Sequence, residues 1–291
     1  MSLVRRNDDT DKAAMMTTAT TNMLSPTTGA ASHRPSSRSR DDDLKAVPGV
    51  LKSEWIKLSS VRANTAILGL TIVMGGLTSW AVATFVTDEV LTASGIFIYS
   101  TVLTAVVASI AGILLFSSEA QHGTLAAALT AQPARWVIAF SKAITAAAFG
   151  LTLGAAGMAA GFGGAMLGGL AVGDTSAMAA TTLWALLYTT LAAVLGTGIG
   201  MIVRHSSAAI SGLLVWGFVI ENLLTFFAPA QVSRFLPFFA GDGLLAISSD
   251  MDTPESIAAA LTRAQDAMVF GGYTAVALIV GTVLLYRRDT T

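Results

Sequence analysis

Six stretches of the chain run for about twenty residues or more with scarcely a charged side chain, at about 63–86, 94–116, 136–172, 178–203, 207–228 and 267–286. A helix rising about 1.5 Å per residue needs about 20 such residues to cross a hydrocarbon layer about 30 Å thick. Backbone polar groups inside hydrocarbon must pair within their own segment, so each run has to be helical. The expected fold class is therefore all-α integral membrane, with six transmembrane helices. Composition agrees: 53% of the 291 residues are hydrophobic and 12% charged, and the mean hydropathy is +0.66, which excludes an ordinary soluble domain. With no cysteine in the chain, disulfides, thiolate catalysis and Cys-ligated metals are excluded as well.

The first 46 residues differ from the rest. They are rich in Ser, Thr, Asp, Arg and Met, too polar to bury a core, and read as a disordered cytoplasmic tail ahead of a six-span domain at 47–291. Between Val50 and Arg62 the residues Leu51, Trp55 and Leu58 recur at helical spacing, while Lys52, Glu54 and Lys57 fall mostly elsewhere around the helix. That pattern predicts an N-terminal amphipathic interfacial helix with Trp55 at headgroup depth. Of the seventeen Lys and Arg residues, fifteen fall on one side of the six-span arrangement, leaving only Arg234 and Arg263 on the other. The excess marks the cytoplasmic side, so both termini are expected in the cytoplasm of a multi-pass protein of the cell membrane.

Within the third run, Gly150, Gly154, Gly157, Gly161, Gly164 and Gly168 line one helix face, a small-residue stripe that lets two backbones approach closely in lipid. Packing against another span of the same chain is the expected use, ahead of a subunit contact. Gly196 and Gly200 form a second, shorter instance. Lys142, near the cytoplasmic end of that run, is expected to snorkel to the interface. Glu221, followed by Asn222, is the one carboxylate within a run; structural placement is favoured slightly over a place on a transport path. The segment 229–266 carries three prolines and five acids. It reads as an outer cover containing the turn 235–239 and a short helix from Pro254 to about Arg263. No Gly-Lys-[Ser/Thr] phosphate-binding loop occurs, the three histidines lack metal-ligand spacing, and no nucleophile elbow is present.

Two segments carry a family resemblance. Ser53-Glu54-Trp55-Ile56-Lys57-Leu58, with Arg62 before the first run, resembles the Ser/Ala-Glu-x-x-Lys-Leu opening of actinobacterial type-2 ABC exporter permeases. Glu119-Ala120-Gln121-His122-Gly123-Thr124-Leu125, followed by Leu129, Pro133 and Lys142, is similar to the Glu-x-x-x-Gly-Thr stretch after that family's second span. Ala120 and Gln121 stand where the family commonly has aromatic and basic residues. The resemblance extends in span number and order over about residues 50–288.

It implies a permease subunit without nucleotide-binding chemistry of its own, paired with a second permease subunit, identical or similar, and with a cytoplasmic ABC ATPase that holds the ATP and magnesium. The lipid bilayer is the remaining partner; no nucleic acid is implied. The segment between the second and third spans would be a cytoplasmic coupling helix, with Glu119, His122, Gly123 and Thr124 docking on the ATPase and Glu54, Trp55 and Lys57 relaying motion. The substrate would be hydrophobic or amphipathic and would leave the cell. A proton-coupled secondary transporter using Glu221, and a non-transporting membrane immunity or scaffold protein, are the alternatives.

Overall fold

The computed structural model describes residues 40–86, 90–132, 134–247 and 254–288. Helix α1 (Arg40–Ser60) leads through the single extended residue Val61 into α2 (Arg62–Phe85). A short turn of helix, α3 (Ala93–Ile96), precedes α4 (Thr101–Gln121), and the eight-residue α5 (Thr124–Ala131) follows at once. Then come α6 (Arg135–Leu167) and α7 (Met178–Val203). The next segment is α8 (Ser206–Val215), a π-helical turn at Trp216–Ile220, and α9 (Glu221–Phe227). Short helices α10 (Ala230–Ser233), α11 (Pro237–Gly243) and α12 (Pro254–Ala259) lead to α13 (Arg263–Arg288). No strand occurs among the described residues.

Among the described residues, six helical segments are long and apolar enough to cross a membrane: Arg62–Phe85, Ala93–Gln121, Arg135–Leu167, Met178–Val203, Ser206–Phe227 and Arg263–Arg288. The molecule is a multi-pass membrane protein. Helices α4, α6 and α7 form its centre, α2 packs on α6, α13 packs on α7, and the α8–α9 segment rests lightly on α4 and α7. In the α4 and α7 spans 56% of the most apolar stretch is buried, against 11% in the α8–α9 span, so three spans make a core and the others present broad apolar faces outward.

Small residues let the central helices touch backbone to backbone. A Cβ added at Gly112 would overlap the Ala193 carbonyl, and one at Gly196 the Ser109 carbonyl, so α4 and α7 meet with nothing between them. Threonine and serine hydroxyls in this seam turn back onto their own helix, as Ser109 Oγ does to Ala105 O at 3.0 Å and Thr197 Oγ1 to Ala193 O at 3.1 Å. These two hydroxyls are satisfied without needing water.

The described elements depart from the expected boundaries in four places. The expected span to about Val172 ends at Leu167, because Gly168 and Gly169, the latter at φ 88°, cap α6. The residues beyond it accept bonds from another segment instead, Ala93 N donating to Ala171 O at 2.9 Å and Ser94 N to Val172 O at 3.0 Å. Helix α4 continues past Phe116 to Gln121. The last helix starts at Arg263, since Thr262 and Gln265 cap its first turn, Thr262 N donating to Gln265 Oε1 at 2.9 Å; α12 therefore stops at Ala259 and not near Arg263. Helix α1 begins ten residues before Val50, with Asp43 in its first turn where the helix dipole favours negative charge. Of the expected tail, residues 1–39 lie outside the described ones.

Candidate functional site

One end of the bundle collects Lys57, Arg135, Lys142, Arg204, Arg287 and Arg288, and the candidate site lies at this basic end. Helix α1 reaches it because the chain bends at Val61 and Asn64 Nδ2 donates to Leu58 O at 2.9 Å, clamping the elbow between α1 and α2. The last turns of α1 then lie beside the end of α4 and the first turns of α6.

Four ionised side chains from these helices close into a ring. Lys57 Nζ stands 2.9 Å from Glu54 Oε1 and 3.0 Å from Glu119 Oε1. Lys142 Nζ stands 3.0 Å from Glu54 Oε2 and 2.9 Å from Glu119 Oε2. Each carboxylate thus divides its two oxygens between two ammonium groups. Lys142 Nζ also donates to the Leu115 carbonyl of α4 at 3.2 Å. The Lys142 side chain has 0% exposure and Glu54 only 7%, whereas Lys57 is 45% exposed at the rim. Lys142 therefore does not snorkel: α6 buries it facing α1 and α4, and the two carboxylates hold its charge away from lipid. Partial burial works to lower the pKa of Lys57, but the hydrogen bonds and charges of Glu54 and Glu119 hold it above the ordinary lysine value.

Beyond Glu119 the chain turns sharply. His122 ends α4 with Nδ1 at 2.7 Å from the Ser118 carbonyl, and Gly123 adopts φ 73°, a left-handed conformation that glycine takes without strain. Thr124 Oγ1 reaches back to the Glu119 carbonyl at 3.4 Å and starts α5. Helix α5 is held by Leu125, buried among Phe116, Ala139, Met201 and Leu285, while His122, Gly123, Thr124, Ala126, Ala127 and Thr130 are exposed. Arg135 fastens the next corner, donating to the Leu285 and Tyr286 carbonyls that α13 leaves open at its end.

Among the residues singled out in the sequence, Glu54, Lys57 and Glu119 meet in the ring, and His122, Gly123 and Thr124 form the turn next to it. Trp55 points away and is 54% exposed, as Glu54 and not Trp55 occupies the inward face of α1. The sequence reading missed Lys142 as the fourth member, 88 residues from Glu54. A lone lysine inside an apolar run was the available signal, because such a charge needs a carboxylate.

The glycine stripe lies elsewhere and serves packing within the chain. Gly150 and Gly154 lie against Thr189 of α7, Gly157 against Thr104 and Thr71, Gly161 against Phe97 and Ser79, Gly164 against the Gly76 backbone, and Gly168 against Ala83. Glu221, 3% exposed, accepts hydrogen bonds from the indole of Trp216 at 3.1 Å and from the backbone N–H of Phe239 in the first turn of α11. Its carboxylate caps a helix whose own N-cap residue, Leu236, has no side-chain acceptor. Asn222 donates to the Gly217 and Phe218 carbonyls, satisfying acceptors that the π-helical turn displaces. Both residues are thus engaged in holding the outer connection.

No group of three or more His, Cys, Asp and Glu side chains that could hold a metal occurs among the described residues. No protein-family model matches the chain, and no curated protein matches it.

Proposed function

We propose that the chain is the membrane-spanning permease subunit of an ATP-driven exporter of the type-2 ABC kind, with the basic end in the cytoplasm of the cell membrane. The observation that carries this reading is the closed ring of Glu54, Lys57, Glu119 and Lys142, which fastens three helices directly beside the exposed turn and short helix at His122–Ala131. A push on that short helix moves Glu119 at the end of α4, and the ring passes the displacement to α1 and α6 together. Chemical energy held by another chain can reach a membrane helix only through such a packed contact.

On this reading His122, Gly123, Thr124 and the exposed face of α5 dock on a cytoplasmic ATPase, which binds the ATP and Mg²⁺. The small uncharged residues Ala126, Ala127 and Thr130 suit a close, shape-determined contact. A second permease subunit completes the pathway, and the cargo is hydrophobic or amphipathic. The engagement of Glu221 by Trp216 and Phe239 weighs against proton coupling through that carboxylate.

The test is co-purification with a candidate ATPase encoded beside this chain. Wild type should retain the ATPase, and Ala127→Trp, an added bulk on an exposed helix face, should abolish retention while helix content and the detergent elution profile stay unchanged. An ATPase that fails to bind wild type, or binds Ala127→Trp equally well, ends the proposal.

A further inference from the structure

Outside the ring, α7, α8, α11 and α13 leave a gap between them. A crevice of about 290 Å³ opens there, lined almost wholly by apolar side chains, among them Leu195, Ile199, Ala209, Leu213, Trp216 and Phe238. It exists because α8 stands off the core: Gly212 faces it with open space beyond its α-carbon, and the π-helical turn shifts Trp216 and Gly217 against α11. Glu221 fixes the roof by holding the Trp216 indole and the first turn of α11 at once.

The floor is different. The crevice closes at Val203 and Ala208, and the residue after Val203 is Arg204, held at φ 57° as the cap of α7. The end of α13 brings Arg287 and Arg288 to the same level, Arg288 Nη1 donating to Ile202 O at 2.8 Å, and both arginines are exposed. From Ala208 to Trp216 the crevice follows about 12 Å of helix, by rise per residue. That is close to the depth of one leaflet, about 15 Å as half of the hydrocarbon layer. An apolar slot one leaflet deep, with the Arg288 guanidinium beside its polar end and Arg204 and Arg287 adjoining it along the chain, matches a phospholipid whose anionic headgroup meets this basic end and whose acyl chain fills the slot.

We propose that this crevice is a binding site for one anionic phospholipid, such as phosphatidylglycerol. The site stands whether or not the chain moves a substrate, and its test needs no ATPase. The full chain, purified in detergent, is mixed with phosphatidylglycerol or phosphatidylcholine of the same acyl length and examined by native mass spectrometry and thermal melting. Wild type should retain one phosphatidylglycerol and melt higher with it, phosphatidylcholine should be retained weakly, and soluble glycerol phosphate should do nothing. Arg287→Gln with Arg288→Gln should lower phosphatidylglycerol affinity about twentyfold or more, at about 1 kcal/mol per cation near the headgroup. Gly212→Leu grows into the open space and should expel both lipids while leaving the lipid-free melting temperature in place. Equal retention of the two lipids, retention undiminished in Gly212→Leu, or stabilisation by glycerol phosphate alone would each overturn the proposal. So would Gly212→Leu dispersing a dimer that carries no lipid, because the crevice would then be a subunit seam.

Discussion

Lys142 is the residue whose environment leaves the fewest alternatives. Its ammonium has no exposed surface and faces two carboxylates and a carbonyl. Desolvating a lysine costs several kcal/mol, which only close counter-charges offset, and removing one partner of a buried ionic group costs about 3–5 kcal/mol because the others stay behind uncompensated. Lys142→Met should therefore destabilise the detergent-solubilised protein by about that amount, since Glu54 and Glu119 would share Lys57 alone. Adding Glu119→Gln to Lys142→Met restores the charge balance and should recover a substantial part of the loss, which is the coupling a double-mutant cycle reads from thermal melts. Melts in which Lys142→Met matches wild type would mean that the ring contributes nothing to stability. Glu54 and Lys57 were legible as polar positions of an amphipathic helix, and they and Glu119 as parts of two short motifs. Their closure around Lys142 was not, because periodicity reports which face a residue occupies on its own helix and says nothing about a partner 88 positions away.

Among the elements, the helices themselves were the easiest to read, since a run without charges long enough to cross hydrocarbon has only one regular structure open to it. The glycine stripe on α6 was equally visible in the sequence, yet its division between α7 at one end and α2 at the other is decided by crossing geometry that spacing does not encode. Helix ends were harder. Gly168-Gly169 was continuous with the apolar run and was read through, although two consecutive glycines are a common way to stop a helix. The Thr262-x-x-Gln265 capping box lay inside a polar segment, where no apolar periodicity marked the start of α13. The closest seam, α4 against α7, gives the sharpest expectation at this scale. In Gly196→Leu the new side chain has only the Ser109 backbone in front of it, so the helices must separate, at a cost of about 1–3 kcal/mol or more. Gly272→Leu on α13 meets nothing within 4 Å and serves as the matched control, with the same change in helix propensity and none in packing. Melting temperatures should fall for the first and hold or rise for the second; equal behaviour would show that the seam is looser than backbone contact.

For the whole molecule, the distribution of charge is the ground for the orientation proposed above. The structure places Lys57, Arg135, Lys142, Arg204, Arg287 and Arg288 at one end, and at the other end Arg234 and Arg263 are turned onto local carbonyls, Ala259 O at 3.2 Å and Leu245 O at 3.4 Å. Basic residues flanking spans stay on the cytoplasmic side during insertion, which is the physical ground for the proposed orientation, and every contact proposed for an ATPase depends on it. The absence of native cysteine makes the orientation directly measurable, because a single introduced thiol is the only one in the chain. Thr130 on α5 and Thr175 on the connection between α6 and α7 are both exposed and lie at opposite ends of the bundle. In intact cells a membrane-impermeant maleimide should label Thr175→Cys promptly and reach Thr130→Cys only after the membrane is opened. The reverse pattern would put α5 outside, where no ATPase is found, and would remove the exporter reading. The ring would then stand as a structural lock, and the phospholipid crevice would open to the outer leaflet instead of the inner one.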